Sequence, residues 1–153
     1  LDTIVHTVKV PAETLAKPYL RPFYDEPEFV IRGIWRQFGG WWDGAPSRLK
    51  PSPDAHLATT LAHLVGGADV LLRRAEQAVG DGDLRLACHL ADLAGWAAPD
   101  DPMIHGGRAA IYLTRRKSEP SLMAKGIFAG AARESQAVAD TAGITDPAAP
   151  TIG

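Results

Sequence analysis

From Pro53 onward the sequence is a series of apolar segments with helical spacing, each cut from the next by glycine or by a proline-containing break. This punctuation constrains the chain to short helices joined by tight turns. Helices are expected over 54–65, 68–79, 84–98, 102–117 and 121–142. Gly66-Gly67, the 80–83 Gly-Asp-Gly-Asp turn and the 99–102 Pro-Asp-Asp-Pro break separate them. On the first helix Leu57, Ala58, Leu61, Leu64 and Val65 are expected to face inward, and on the second Leu71, Leu72, Ala75, Ala78 and Val79. The third is apolar nearly all round, with Arg85, His89 and Asp92 as its narrow polar stripe, so it belongs between neighbours.

The region before Pro53 is less regular. Residues 1–10 hold β-branched residues in partial alternation, which suits a short strand or extended arm. A short helical piece follows Pro11, and Pro18, Pro22 and Pro27 make the next stretch irregular. A further helix is expected from about Asp25 to Phe38. Asp25 would cap it, Pro27 sits in its first turn, Glu28 is placed as in a capping box, and Gly39-Gly40 stops it. The last residues, 143–153, read as a frayed tail. The division expected is an arm over 1–18, a helical domain over 19–142 and the tail. Leu1 to Val10 reads like the middle of a longer protein.

Bulk chemistry narrows the partners. The formal net charge of −2 favours neither nucleic acid nor an anionic membrane. Arg115-Arg116-Lys117 complements a helix C-terminus and is too short for a nucleic-acid site. No apolar run reaches the roughly 18 residues of a membrane span. Cys88 is the single cysteine, so no intrachain disulfide forms. The five histidines, His6, His56, His63, His89 and His105, include no pair at the i, i+4 spacing that sets two imidazoles on one metal. No nucleophile motif or phosphate-cradling glycine loop is visible, and no catalytic residue is assigned. Asp92, His89 and Arg85 fit a solvated or salt-bridged face better than an acid/base stripe.

Residues 19–53, YLRPFYDEPEFVIRGIWRQFGGWWDGAPSRLKPSP, resemble the start of the alkyl sulfatase dimerisation domain. The shared pattern is an aromatic, an acidic-Pro-Glu run, an Arg-x-Ile-aromatic helix, then Gly-Trp-aromatic-Asp-Gly-x-Pro. Trp41-Trp42-Asp43-Gly44-x-Pro46 is its most specific piece. Segments 82–94 and 121–128 resemble the same domain, and the likeness covers about residues 5–140. Ala45 stands where the family often has Asn, which implies a changed turn and an unchanged function.

The resemblance implies a helical region that forms the dimer of a hydrolase of alkyl sulfate esters. The zinc-dependent catalytic domain, of metallo-β-lactamase fold, would lie N-terminal to it. The partners implied are a second copy and that catalytic domain, with zinc in the latter and no cofactor in this chain. The metal signature His-x-His-x-Asp-His is absent from the sequence. Trp35, Trp41 and Trp42, beside Phe29 and Phe38, are candidate interface residues, with a local hydrophobic cluster as the plainer role. Tyr24 and Arg32 are candidates for the rim of the sulfate pocket, because a guanidinium forks onto a sulfate and a phenol donates to one. The plainer role for Arg32 is a pair with Glu28 one turn earlier.

The fold class expected is all-α: antiparallel helical hairpins with an N-terminal extended arm. The stretch 82–117 has the cadence of a tetratricopeptide unit, though only about one and a half such units are present, against roughly three for a self-standing array. A stand-alone tetratricopeptide-like peptide-binding module is therefore the alternative function, and an independent enzyme the third. Gly126 and Gly130 on the fifth helix, and Gly106 and Gly107 on the fourth, would let a neighbouring helix approach closely, within the chain or from a second copy.

Overall fold

The computed structural model describes residues 1–141, and the tail expected over 143–153 lies outside them. Among the described residues the chain forms eight α-helices and no strand. They are α1 (Asp2–Thr7), α2 (Ala12–Leu15), α3 (Pro27–Phe38), α4 (Asp54–Val65), α5 (Ala68–Gly80), α6 (Leu84–Ala97), α7 (Pro102–Ser118) and α8 (Leu122–Thr141). A 3-10 turn covers Pro46–Arg48. The chain divides into two compact units. Among the described residues, one comprises Leu1–Ser52 with Ser118–Ile127, and the other comprises Pro53–Lys117 with residues 128–141.

The first unit corrects the expected extended arm. Residues Asp2–Thr7 are helical, and Val5 is buried. Helical spacing puts Leu1, Val5 and Val8 on one side, where alternation would split them between two faces. Asp2 sits in the first turn, and the imidazole of His6 bonds the Asp2 carbonyl at 2.8 Å. This α1 packs on α3. The start of α3 is also built differently from the expected cap. Glu26 occupies the N-cap position without a side-chain cap, while the Asp25 carboxylate accepts from the Glu26 amide at 2.8 Å. The Glu26 carboxylate instead accepts from Ser121 Oγ at 2.8 Å, and Ser121 is fully buried. The amides of Leu122 and Met123, which open α8, donate to the carbonyls of Phe23 and Tyr24 at 2.7 and 3.2 Å. Those first-turn amides have no partner within their own helix, so this segment satisfies them.

In the second unit α5 and α6 form an antiparallel hairpin. Near its turn Ala75 and Ala78 share a buried cluster with Ala87, Ala91 and Ile111. Farther from the turn Leu71 shares one with Ala94, Ala62 and Ile104. Positions thus descend along α5 as they ascend along α6. Asp83 caps α6, its carboxylate accepting from the Leu86 amide at 3.0 Å. Gly66 ends α4 at φ 102°, and both Gly66 and Gly67 donate to the Ala62 carbonyl.

The core is built largely from alanine, which lets helix backbones approach closely. On α4 the buried residues are Ala58 and Ala62. Leu57, Leu64 and Val65, expected inward, are 50%, 76% and 48% exposed. Alanine and leucine are both apolar in a periodicity count, but only the alanine strip fits against α6 at short range. The glycines divide similarly. Gly107 takes up the close approach to Leu72, whose side chain would lie 2.6 Å from an added Cβ, and Gly106 faces Ala139. Gly126 has nothing within 4 Å of its would-be Cβ.

Candidate functional site

The residues singled out at the start of the chain all fall in the first unit. On α3, Phe29, Val30, Ile31, Ile34, Trp35 and Phe38 recur with helical spacing, yet none is buried. Phe38 and Trp41 are the most open, at 81% and 70%. Trp35 and Trp42 are brought together, the Trp35 indole donating to the Trp42 carbonyl at 3.4 Å. The Trp42 indole donates to the Ala45 carbonyl at 3.2 Å. Asp43 organises the turn that follows: it accepts from the Ala45 amide at 2.9 Å and pairs with Arg48. The backbone bond to Ala45, then the Arg48 guanidinium, hold the Asp43 carboxyl below its ordinary 3.8. Both contacts at position 45 use backbone atoms.

Tyr24 and Arg32 are placed differently. Tyr24 is 66% exposed and lines an apolar cleft of about 660 Å³ with Val8, Leu15, Phe23, Val30 and Ile31. Arg32 does not line that cleft. Its guanidinium donates to Glu28 at 3.3 Å across one helical turn, the plainer pairing expected from the sequence.

The second unit contains a polar cluster that the sequence reading did not assemble. Arg108 on α7 donates through Nε and one terminal nitrogen to the Asp92 carboxylate on α6, at 3.0 and 2.8 Å. Its other terminal nitrogen reaches Ser135 Oγ and the Ala131 carbonyl on α8. Tyr112 donates to Asp92 at 2.8 Å, and the Arg108 guanidinium lies over the Tyr112 ring. Burial first, then the adjacent Asp92 charge, push the Tyr112 phenol well above its ordinary 10.0. His105 Nδ1 lies 3.3 Å from Ser135 Oγ. Ser135 Oγ accepts from Arg108. Asp92, expected on a solvated or salt-bridged face, is the salt-bridged anchor of this cluster. His105, Arg108 and Tyr112 recur at i, i+3 and i+7 along α7, a stripe visible in the sequence; Asp92 and Ser135 are 16 and 27 residues from Arg108. The cluster joins a serine to an imidazole, and Ser135 is 0% exposed. Its role is to hold α6, α7 and α8 in register.

Among the described residues no three His, Cys, Asp or Glu side chains converge as metal ligands. The described residues therefore offer no set that fits the zinc that the resemblance implies for a catalytic domain, and no step through zinc is assigned to this chain.

With that geometry in place, the comparisons define the class. The family model described as alkyl sulfatase dimerisation matches residues 1–137, and the chain belongs to that family. Among proteins, it is 37% identical over 112 residues to a linear primary-alkylsulfatase of Pseudomonas sp. (strain ATCC 19151), covering 72% of this chain and 21% of that protein. It is 32% identical over 91 residues to an (R)-specific secondary-alkylsulfatase of Pseudomonas sp., covering 60% and 14%. Among solved structures, the sec-alkylsulfatase Pisa1 from Pseudomonas sp. superposes with a TM-score of 0.76 at 25% identity, over 86% of this chain and 21% of that one. A double mutant of the same enzyme superposes at 0.79, over 88% and 22%. The chain thus spans about a fifth or less of these relatives' length.

Proposed function

We propose that this chain is the self-assembly module of an alkyl-sulfatase-type hydrolase. It forms a homodimer, and its first unit seats a zinc-dependent catalytic domain of metallo-β-lactamase fold belonging to the same protein. The observation that carries this reading is the family match over residues 1–137. The exposed aromatic surface of α3 and the turn after it supports the seat: Trp35, Trp41 and Trp42 are the contact residues, with Phe38 beside them. An open apolar surface of this kind marks a contact with another protein surface.

Tyr24 and Arg32 are assigned to the rim of the sulfate pocket in the complete enzyme. Arg32 is held only by its exposed Glu28 pair and exchanges it for a substrate sulfate. Replacing Arg32 by alanine in the complete enzyme is expected to lower kcat/KM for an alkyl sulfate at least about tenfold, equivalent to about 1.4 kcal/mol. An unchanged kcat/KM removes Arg32 from the rim. Self-assembly is tested by co-expressing two differently tagged copies of this chain. Capture through one tag is expected to retain the other copy, and its loss in the wash contradicts the assignment.

A further inference from the structure

Between Pro22 and Pro27 the chain has no helix or strand of its own, and neither proline supplies an amide to hold it. Two helix starts within the same unit hold it instead. The Glu26 carbonyl accepts from the Phe29 and Val30 amides of α3 at 2.9 and 3.2 Å. On the other side, the Phe23 and Tyr24 carbonyls accept from the Leu122 and Met123 amides of α8, and the Glu26 carboxylate accepts from Ser121 Oγ. Of the two side chains in this fastening, Ser121 is fully buried and Glu26 partly so. Ser121 Oγ also accepts from the Ala124 amide at 3.3 Å, so one hydroxyl both caps the first turn of α8 and grips Glu26. The strip held in this way carries Tyr24. Its ring is mostly exposed and its hydroxyl has no hydrogen-bond partner among the described residues. The backbone of the strip therefore sets where the phenol stands.

We propose that Ser121 is a positioning residue for the sulfate rim: by gripping Glu26 it fixes the Phe23–Glu26 strip against α8 and thereby sets the place of Tyr24. The inference rests on the assignment of Tyr24 to that rim and adds a residue that acts through it. A hydroxyl suits the task because it donates to a carboxylate and accepts from an amide at once, and alanine does neither. Without it the Glu26 carboxylate turns to water, and the first turn of α8 loses its cap. The two remaining bonds, from Leu122 and Met123, leave that same turn and loosen with it. A positioned group that shifts by a fraction of its contact distance loses rate steeply, so a buried serine outside the rim governs what the rim does.

The fastening is read in this chain and its consequence in the complete enzyme. In the full chain, Ser121→Ala is expected to speed hydrogen exchange at the Leu122 and Met123 amides at least about tenfold, with helicity by circular dichroism unchanged. In the complete enzyme the same substitution is expected to lower kcat/KM for an alkyl sulfate at least about tenfold. Tyr24→Phe is expected to lower it as well. Made in the Tyr24→Phe background, Ser121→Ala is expected to lower kcat/KM by about twofold or less, since the hydroxyl it positions is gone. A merely structural serine would give the same loss in both backgrounds. Unchanged exchange, an unchanged kcat/KM in Ser121→Ala, or equal losses in the two backgrounds overturns the inference and leaves Tyr24 at the rim. An unchanged kcat/KM in Tyr24→Phe removes Tyr24 from the rim, and the inference falls with it. If Ser121→Ala fails to fold, Glu26→Ala, which removes the acceptor from a partly exposed side chain, decides by the same readings.

Discussion

At the scale of single residues, the second unit depends on a few polar side chains in an alanine core. Asp92 receives Arg108 and Tyr112, and Ser135 receives Arg108 while lying against His105. Such a cluster adds geometric specificity that alanine packing lacks, because each donor accepts only a narrow range of positions. Its clearest consequence is a pH dependence. The Tyr112 phenol is raised above 10.0 in the folded chain and returns to an ordinary value on unfolding. Above about pH 10 the unfolded state therefore binds fewer protons than the folded one, and stability falls as pH rises. Below that pH the contribution is fully present. Urea unfolding midpoints between pH 9 and 11 are expected to drop for wild type and to drop less for Tyr112→Phe. Equal slopes for the two proteins would contradict this account of Tyr112.

At the scale of elements, helix ends were legible and helix faces only partly so. Gly66 shows why the ends were readable. Its φ of 102° suits glycine, and the sequence places Gly66-Gly67 where the apolar period stops. Gly66→Ala forces a Cβ into that conformation and is expected to destabilise the fold by about 1 kcal/mol. A denaturation midpoint equal to wild type would refute the strain. The face of α4 was misjudged because hydropathy counts Leu57 and Ala58 alike, whereas packing distance selects the alanine. The helix at Asp2–Thr7 was missed because Thr3, Ile4, Val5 and Val8 carry strand preference. Burial of Val5 and packing on α3 override that preference, as tertiary contacts commonly do. The link from Glu26 to Ser121 spans 95 residues, a separation that no local pattern reports.

At the scale of the whole chain, the family was legible in one compact string, Trp41-Trp42-Asp43-Gly44-Ala45-Pro46. Within it the Trp42 indole and the Asp43 carboxylate bond the two backbone groups of Ala45, and the Trp35 indole joins from α3 through the Trp42 carbonyl. The proposed rim and interface roles concern surfaces that other protein would complete, and a local string carries no such information. Self-association is the claim at the centre of the proposed function. The most direct measurement is the solution mass of this 16.3 kDa chain by light scattering from sub-micromolar to high-micromolar concentration. A mass near twice the chain mass, stable at micromolar concentration, is the expected result. A mass that stays at 16.3 kDa throughout would contradict the account.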